Sequence, residues 1–170
     1  MRMHWRCGFA STMAESNQRI SAITLDEKSV IRRSDDIENE RAAAIADLLE
    51  ENEFAPASGR SGPFRLHLAI EENRLLMEIR GRGDEAPETV ALPLASFRGI
   101  VKDYFLVCES YYEAIRAGNL TRVEAIDVGR RSLHNEGSAQ LIECLAGKAV
   151  VDHDTARRLF TLICVLHLRA

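Results

Sequence analysis

The sequence predicts an α+β domain: a small antiparallel sheet containing a β-hairpin, C-terminal helices packed on one face of it, and a buried last helix. Three observations lead there. The segment FRLHLAIEENRLLMEIR folds back on itself in a register that is consistent on both faces. The elements run strand, helix, a group of strands and then helices, without the βαβ alternation of a parallel sheet. From Leu159 onward the chain is apolar nearly all round, the pattern of a helix enclosed by the core.

Taken in order, ISAITL over Ile20 to Leu25 alternates with period two and predicts a short strand. Ser34 and Asp35 offer helix caps, with Glu38 three residues after Asp35 as in a capping box. Ile37, Arg41, Ala44, Ile45 and Leu48 then recur at helical spacing, which predicts a helix over about Asp35 to Glu51. Pro56 to Pro63 is rich in Gly, Ser and Pro and reads as a loop. In the hairpin, Glu72 and Asn73 form a two-residue turn, Asn tolerating positive φ. That turn sets Ile70 opposite Leu75, Leu68 opposite Met77 and Leu66 opposite Ile79 on one face. On the other it sets Glu71 opposite Arg74 and His67 opposite Glu78, so charge and hydrophobicity agree. Gly81 to Pro87 is the next loop, and Val90, Leu92 and Leu94 mark a further strand.

From Ser96 the pattern is helical, through Phe97, Val101, Tyr104, Cys108, Tyr111 and Ile115, until Gly118 ends it in the C′ position. Thr121 with Glu124 reads as a second capping box, ahead of a stripe of Val123, Ile126, Arg130 and Leu133. This helix is expected to falter at Asn135 or Gly137, in a backbone state that a Cβ would resist. Ser138 then restarts it through Leu141, Ile142 and Leu145 to a stop at Gly147. Asp152 caps the last helix, and Asp154 in its first turn complements the helix dipole.

A chain of 170 residues suits one domain, with residues 1–17 as a loose tail and 18–170 as the folded unit. Its 46% hydrophobic and 28% charged content is ordinary for a globular protein. A formal net charge of −4 argues against general nucleic-acid binding, which needs a surplus of Lys and Arg on one face. Cys7, Cys108, Cys144 and Cys164 have no C-x-x-C spacing and read as reduced core residues. The N-terminus lacks the apolar run of an export signal. The longest apolar run, Leu159 to Leu168, is about half of the ~20 residues a membrane span needs.

The stretch DVGRRSLHNEGSAQL, Asp127 to Leu141, carries the densest chemistry. His134, Asn135 and Glu136 around the expected turn offer a base, an oxyanion donor and an orienting carboxylate. Arg130 and Arg131, joined by Arg157 and Arg158 of the last helix, offer a grip on a phosphate or carboxylate. The plainer alternative is a capped turn with His134 on the preceding carbonyls. His134 and Glu136, two apart, are not a helical metal pair, and Cys164 with His167 lacks two further ligands, so no metal is expected. His153, between two aspartates, reads as a solvated helix start. Burial makes Cys108 inert as a nucleophile, and no G-x-S-x-G elbow occurs. The glycines at Gly59 and Gly81 lack the partners of a phosphate loop or dinucleotide fingerprint, so no cofactor is expected. Tyr104, Tyr111 and Tyr112 with Phe97 and Phe105 give one helix two apolar sides: one for the core and one for a dimer seam or ligand wall, or both within the core.

The strings RAAAIADLLEEN, IVKDYFLVCESYYEAI, DVGRRSLHNEGS and DTARRLFTLICVLH resemble the uncharacterised protein family (UPF) 0262, with the likeness running from about Ile20 to Arg169. The resemblance implies a cytoplasmic bacterial protein and carries no activity or site. The residues themselves predict first a cytoplasmic binding or regulatory domain that self-associates. Second comes an enzyme or small-anion binder built on Arg130, Arg131, His134, Asn135, Glu136, Arg157 and Arg158.

Overall fold

The fold was analysed in a computed structural model that describes residues 17–26, 34–83 and 85–167. The expectations for residues 1–16, Cys7 among them, lie outside the described residues. The order is β1 (Ile20–Leu25), α1 (Asp35–Glu50), β2 (Phe54–Pro56), β3 (Phe64–Glu71), β4 (Arg74–Arg80), β5 (Glu88–Pro93), a 3-10 turn (Leu94–Phe97), α2 (Arg98–Arg116), α3 (Leu120–Leu145), β6 (Ala149–Val151) and α4 (His153–His167). This is an α+β fold, as the sequence predicts.

The hairpin β3–β4 has the expected register throughout, His67 facing Glu78 and Leu68 facing Met77. Glu72 (φ 51) and Asn73 (φ 60) both take the left-handed conformation that a two-residue turn needs. β4 pairs antiparallel with β5, as expected of successive strands. β1 departs from expectation. It lies beside β3 in parallel, giving a four-stranded sheet in the order β1-β3-β4-β5. The intervening α1 carries the chain back along the sheet, as a parallel crossover requires, so a single βα crossover is hidden in an apparently antiparallel order. Two short segments that the sequence left as loop and linker, β2 and β6, pair antiparallel into a second sheet.

Ser34 caps α1 and accepts from the Ile37 amide. At the other end Asn52 ties the helix to β1: its Oδ1 accepts from the Ile20 amide at 2.6 Å, and its Nδ2 donates to Ile20 O and Leu48 O. The alternating inward residues of the sheet, Phe64, Leu66, Leu68, Leu75, Met77 and Ile79, are buried against the helices. α4 occupies the centre, with every residue from Leu159 to Leu166 buried.

Three local expectations are corrected. Leu94 begins a 3-10 turn rather than ending β5. The cap of α3 is Asn119, whose side chain accepts from the Arg122 amide at 3.1 Å. Gly118 ends the preceding helix in the left-handed region (φ 67), so Asn119 is the first side chain able to receive the new helix, ahead of Thr121. Most consequentially, α3 runs unbroken through Asn135, Gly137 and Ser138, and Gly137 keeps negative φ. Gly137 is there for space. A Cβ built on it would lie 2.5 Å from Cε1 and Cε2 of Phe160, so α3 and α4 approach too closely for any side chain. Ser138 does not cap; its hydroxyl bonds back to Asn135 O at 3.0 Å within the helix.

Candidate ligand-binding site

The unbroken course of α3 decides which of the predicted site residues meet. Positions 130, 134, 137/138, 141 and 145 follow helical spacing along its inner stripe, polar at the N-terminal end and apolar at the other. Arg130 and His134 therefore turn inward together, while Arg131, Asn135 and Glu136 are exposed, Arg131 paired with Asp127 at 2.8 Å. The expected catalytic grouping of His134 with Asn135 and Glu136 does not form, because residues one and two apart on a helix diverge. Arg157 and Arg158 do come to Arg130 and His134, brought by the packing of α4 on α3. These four line one cavity of about 180 Å³ with Glu40, Ala43, Ala44 and Asp47 of α1 and Asp154 and Thr161 of α4.

Glu40 is the residue that sequence reasoning missed. Its side chain is only 10% exposed, and its Oε1 accepts from Arg130 Nη2 at 2.6 Å and from the Tyr112 hydroxyl at 2.8 Å. Its Oε2 accepts from the Tyr104 hydroxyl at 2.8 Å. Burial works against the ionised carboxylate, but the Arg130 charge and the two hydroxyls outweigh it and hold the acid below its ordinary range. In return the carboxylate more than offsets the burial of Arg130 and keeps that guanidinium charged. The cation also lies over the Tyr111 ring, 4.9 Å from its centroid. Burial first, and then the Glu40 carboxylate, push the Tyr112 phenol up, so both tyrosines stay protonated donors.

His134 sits beside this network, its ring centroid 5.1 Å from that of Tyr104 and 6.4 Å from that of Phe160. Thr161 Oγ1 donates to Arg157 O at 3.2 Å, which leaves its lone pairs to accept from His134 Nε2 at 3.2 Å. That pairing assigns the proton to Nε2 and makes Nδ1 an acceptor. Burial, and then the cations of Arg130 and Arg157, push the imidazole down to about 4, so it is neutral at physiological pH. The carboxylates of Glu40 and Asp127 oppose that shift and do not reverse it. The field at His134 is therefore positive. Arg158 Nη1 donates to Asp154 O at 3.2 Å, whereas Arg157 makes no ion pair or side-chain hydrogen bond among the described residues.

A second cavity, of about 310 Å³, lies across Glu40 between α1, α2 and α4. Phe97 of the 3-10 turn and Tyr104 of α2 are in the core, Phe105 and Tyr112 of α2 line this cavity, and Tyr111 holds Arg130. These aromatic side chains are thus divided between the core and a cavity wall, while Leu106 and Ile115 of the same helix are exposed.

Cys108 and Cys164 are buried thiols, Cys108 pushed up to about 11 by burial, while Cys144 is only half-buried on α3. His153 is exposed at the start of α4, and its Nε2 meets the Ser138 hydroxyl at 3.1 Å. Among the described residues no group of three His, Cys, Asp or Glu is placed to hold a metal. No helix there is long and apolar enough to cross a membrane.

The comparisons agree with the strings read in the sequence. The family model of the uncharacterised protein family UPF0262 matches residues 17–169. The chain belongs to this family. A UPF0262 protein of Rhodospirillum rubrum is 60% identical over 147 residues, covering 86% of this chain and 91% of its own. One of Rhodopseudomonas palustris is 58% identical over 154 residues, covering 90% and 94%, and one of Bradyrhizobium diazoefficiens is 58% identical over 156 residues, covering 90% and 93%. No solved structure matches. The cavity residues fall within the matched region.

Proposed function

We propose that this UPF0262 chain is a cytoplasmic binding or regulatory domain that takes a small anionic group, a phosphate or carboxylate, in the cavity between α1, α3 and α4. The observation that carries the reading is the Arg157 guanidinium, which makes no ion pair among the described residues and lines the cavity with Arg130 beside a histidine held neutral by burial first and then by these cations. Guanidinium groups with neutral donors beside them suit planar or tetrahedral oxyanions. Binding fits better than catalysis, because an imidazole with its pKa near 4 is a weak base at neutral pH, where an effective general base titrates near the working pH. The buried thiols support a reducing compartment.

The test is a thermal-shift and NMR titration with inorganic phosphate, acetate and malonate, reading the His134 ring resonances. Binding at about 100 times the dissociation constant stabilises the fold by roughly 2.7 kcal/mol and moves those resonances. Arg157→Ala abolishes both effects. Unmoved His134 resonances with every anion, or binding that survives Arg157→Ala, refutes the reading. Self-association is a second reading, favoured by Leu120 (75% exposed), Val128 (69%) and Ile115 (46%) near the α2–α3 turn. Light scattering that shows only monomer at high micromolar concentration removes it.

A further inference from the structure

The cavity just described is lined by as many carboxylates as guanidiniums. Arg130, Arg157 and Arg158 face Glu40, Asp47 and Asp154, and with His134 neutral the lining carries no net charge. A site that served a simple anion alone would gain by omitting the two acids that Arg130 does not use, since each repels such a ligand. These acids make no ion pair of their own: neither Asp47 nor Asp154 has a salt bridge among the described residues, although Arg157 and Arg158 lie one turn from Asp154 on α4. The charges are also separated along the cavity. α1 and α4 run antiparallel, because the Glu53 amide donates to Thr155 Oγ1 at 3.0 Å while Glu40 and Val165 share a wall at the other end. Asp47, seven residues beyond Glu40, and Asp154, seven before Thr161, thus mark one end, about 10 Å of helix from the Arg130–His134–Thr161 end. Arg157 and Arg158 stand between them.

Resting on the reading above, we infer that the ligand is a small zwitterion, its carboxylate or phosphate held by Arg157 and Arg130 and its ammonium directed to Asp47 and Asp154. The volume of about 180 Å³ is that of about six liquid waters, which suits an amino-acid-sized molecule. Opposite charges on one small ligand satisfy both ends at once, and the unlike charges of the lining weaken the hold on a ligand that carries only one of them.

The experiment compares dissociation constants by calorimetry for glycine, β-alanine and γ-aminobutyrate against the matching acids (acetate, propionate, butyrate) and amines (methylamine, ethylamine, propylamine). At least one zwitterion binds ten-fold or more tightly than both its acid and its amine. In the Asp47→Asn/Asp154→Asn double variant that preference disappears while the acid binds as well or better. Both positions are exposed, so the fold tolerates the exchange. Acids that bind through Arg157 as tightly as the zwitterions overturn the inference and leave the anion site standing. A zwitterion preference that survives the double variant overturns the assigned ammonium end. Failure of every acid and every zwitterion to bind overturns the site itself.

Discussion

Gly137→Ala distinguishes the two physical reasons a helix can have for containing glycine. In an exposed helix interior Ala is more favourable than Gly by about 1 kcal/mol, because glycine loses more backbone freedom on folding. Gly129, on the same helix and with open space around its Cβ position, is such a case, and Gly129→Ala should stabilise by about that amount. At Gly137 the new methyl meets the Phe160 ring at 2.5 Å, so the ring must retreat by about 1 Å to reach the ~3.5 Å carbon–carbon optimum. Phe160 is fully buried and packs edge-on against Tyr104, with centroids 5.9 Å apart, so it has little room to give. Overpacking of this kind costs about 1–3 kcal/mol, and against the helix-propensity gain of about 1 kcal/mol the net effect is a loss of up to about 2 kcal/mol. Urea denaturation followed by circular dichroism reads both variants as opposite shifts of midpoint at constant slope. Phe160→Leu in the Gly137→Ala background should recover part of the loss, measured as a coupling in a double-mutant cycle. A Gly137→Ala variant as stable as Gly129→Ala refutes the close helix contact and, with it, the placement of Arg130 and His134 beside Arg157.

Glu40→Gln keeps the shape of the network but leaves the Arg130 cation without its counter-ion, and it should destabilise by about 2–4 kcal/mol in the same denaturation assay. Since the folded acid titrates below its ordinary range, the Glu40 contribution is present above the ordinary carboxylate pKa and is lost as pH falls through the folded value. The wild-type advantage over Glu40→Gln should therefore shrink only under acid conditions; a difference equally large at every pH contradicts the ion pair. An NMR titration of the imidazoles should find His134 neutral down to about pH 4, bearing its proton on Nε2. With its folded pKa depressed, its contribution is complete above the ordinary histidine value and is lost as pH falls from there through about 4. A midpoint near 6.5 for His134 would place it in solvent rather than between Tyr104 and Phe160.

Much of the fold was legible because its decisive signals are local. The hairpin register follows from one turn and the period of two, and α4 from unbroken hydrophobicity. The caps at Ser34 and Asp152 follow from side chains that reach their own helix. The expected break in α3 came from reading Asn, Gly and Ser as turn formers by propensity, although the inner stripe passes through residues 134, 137 and 141 at the helical steps of three and four. Propensity is worth about 1 kcal/mol at a glycine, and packing against Phe160 exceeds it.

What this sequence determined by itself is the class of fold, the hairpin, the buried last helix and the family, together with the pairing of Arg130 with His134 at one helical turn. Tertiary structure alone decided that β1 lies parallel to β3, that β2 finds β6, and that Glu40, 90 residues from Arg130, supplies its counter-charge. These are contacts between segments far apart in the chain. No period or cap encodes them, since they depend on which faces meet when the apolar surfaces close. The cavity itself belongs to this second kind, for α1, α3 and α4 each carry only part of its lining, and each part alone looks like the solvated face of a helix.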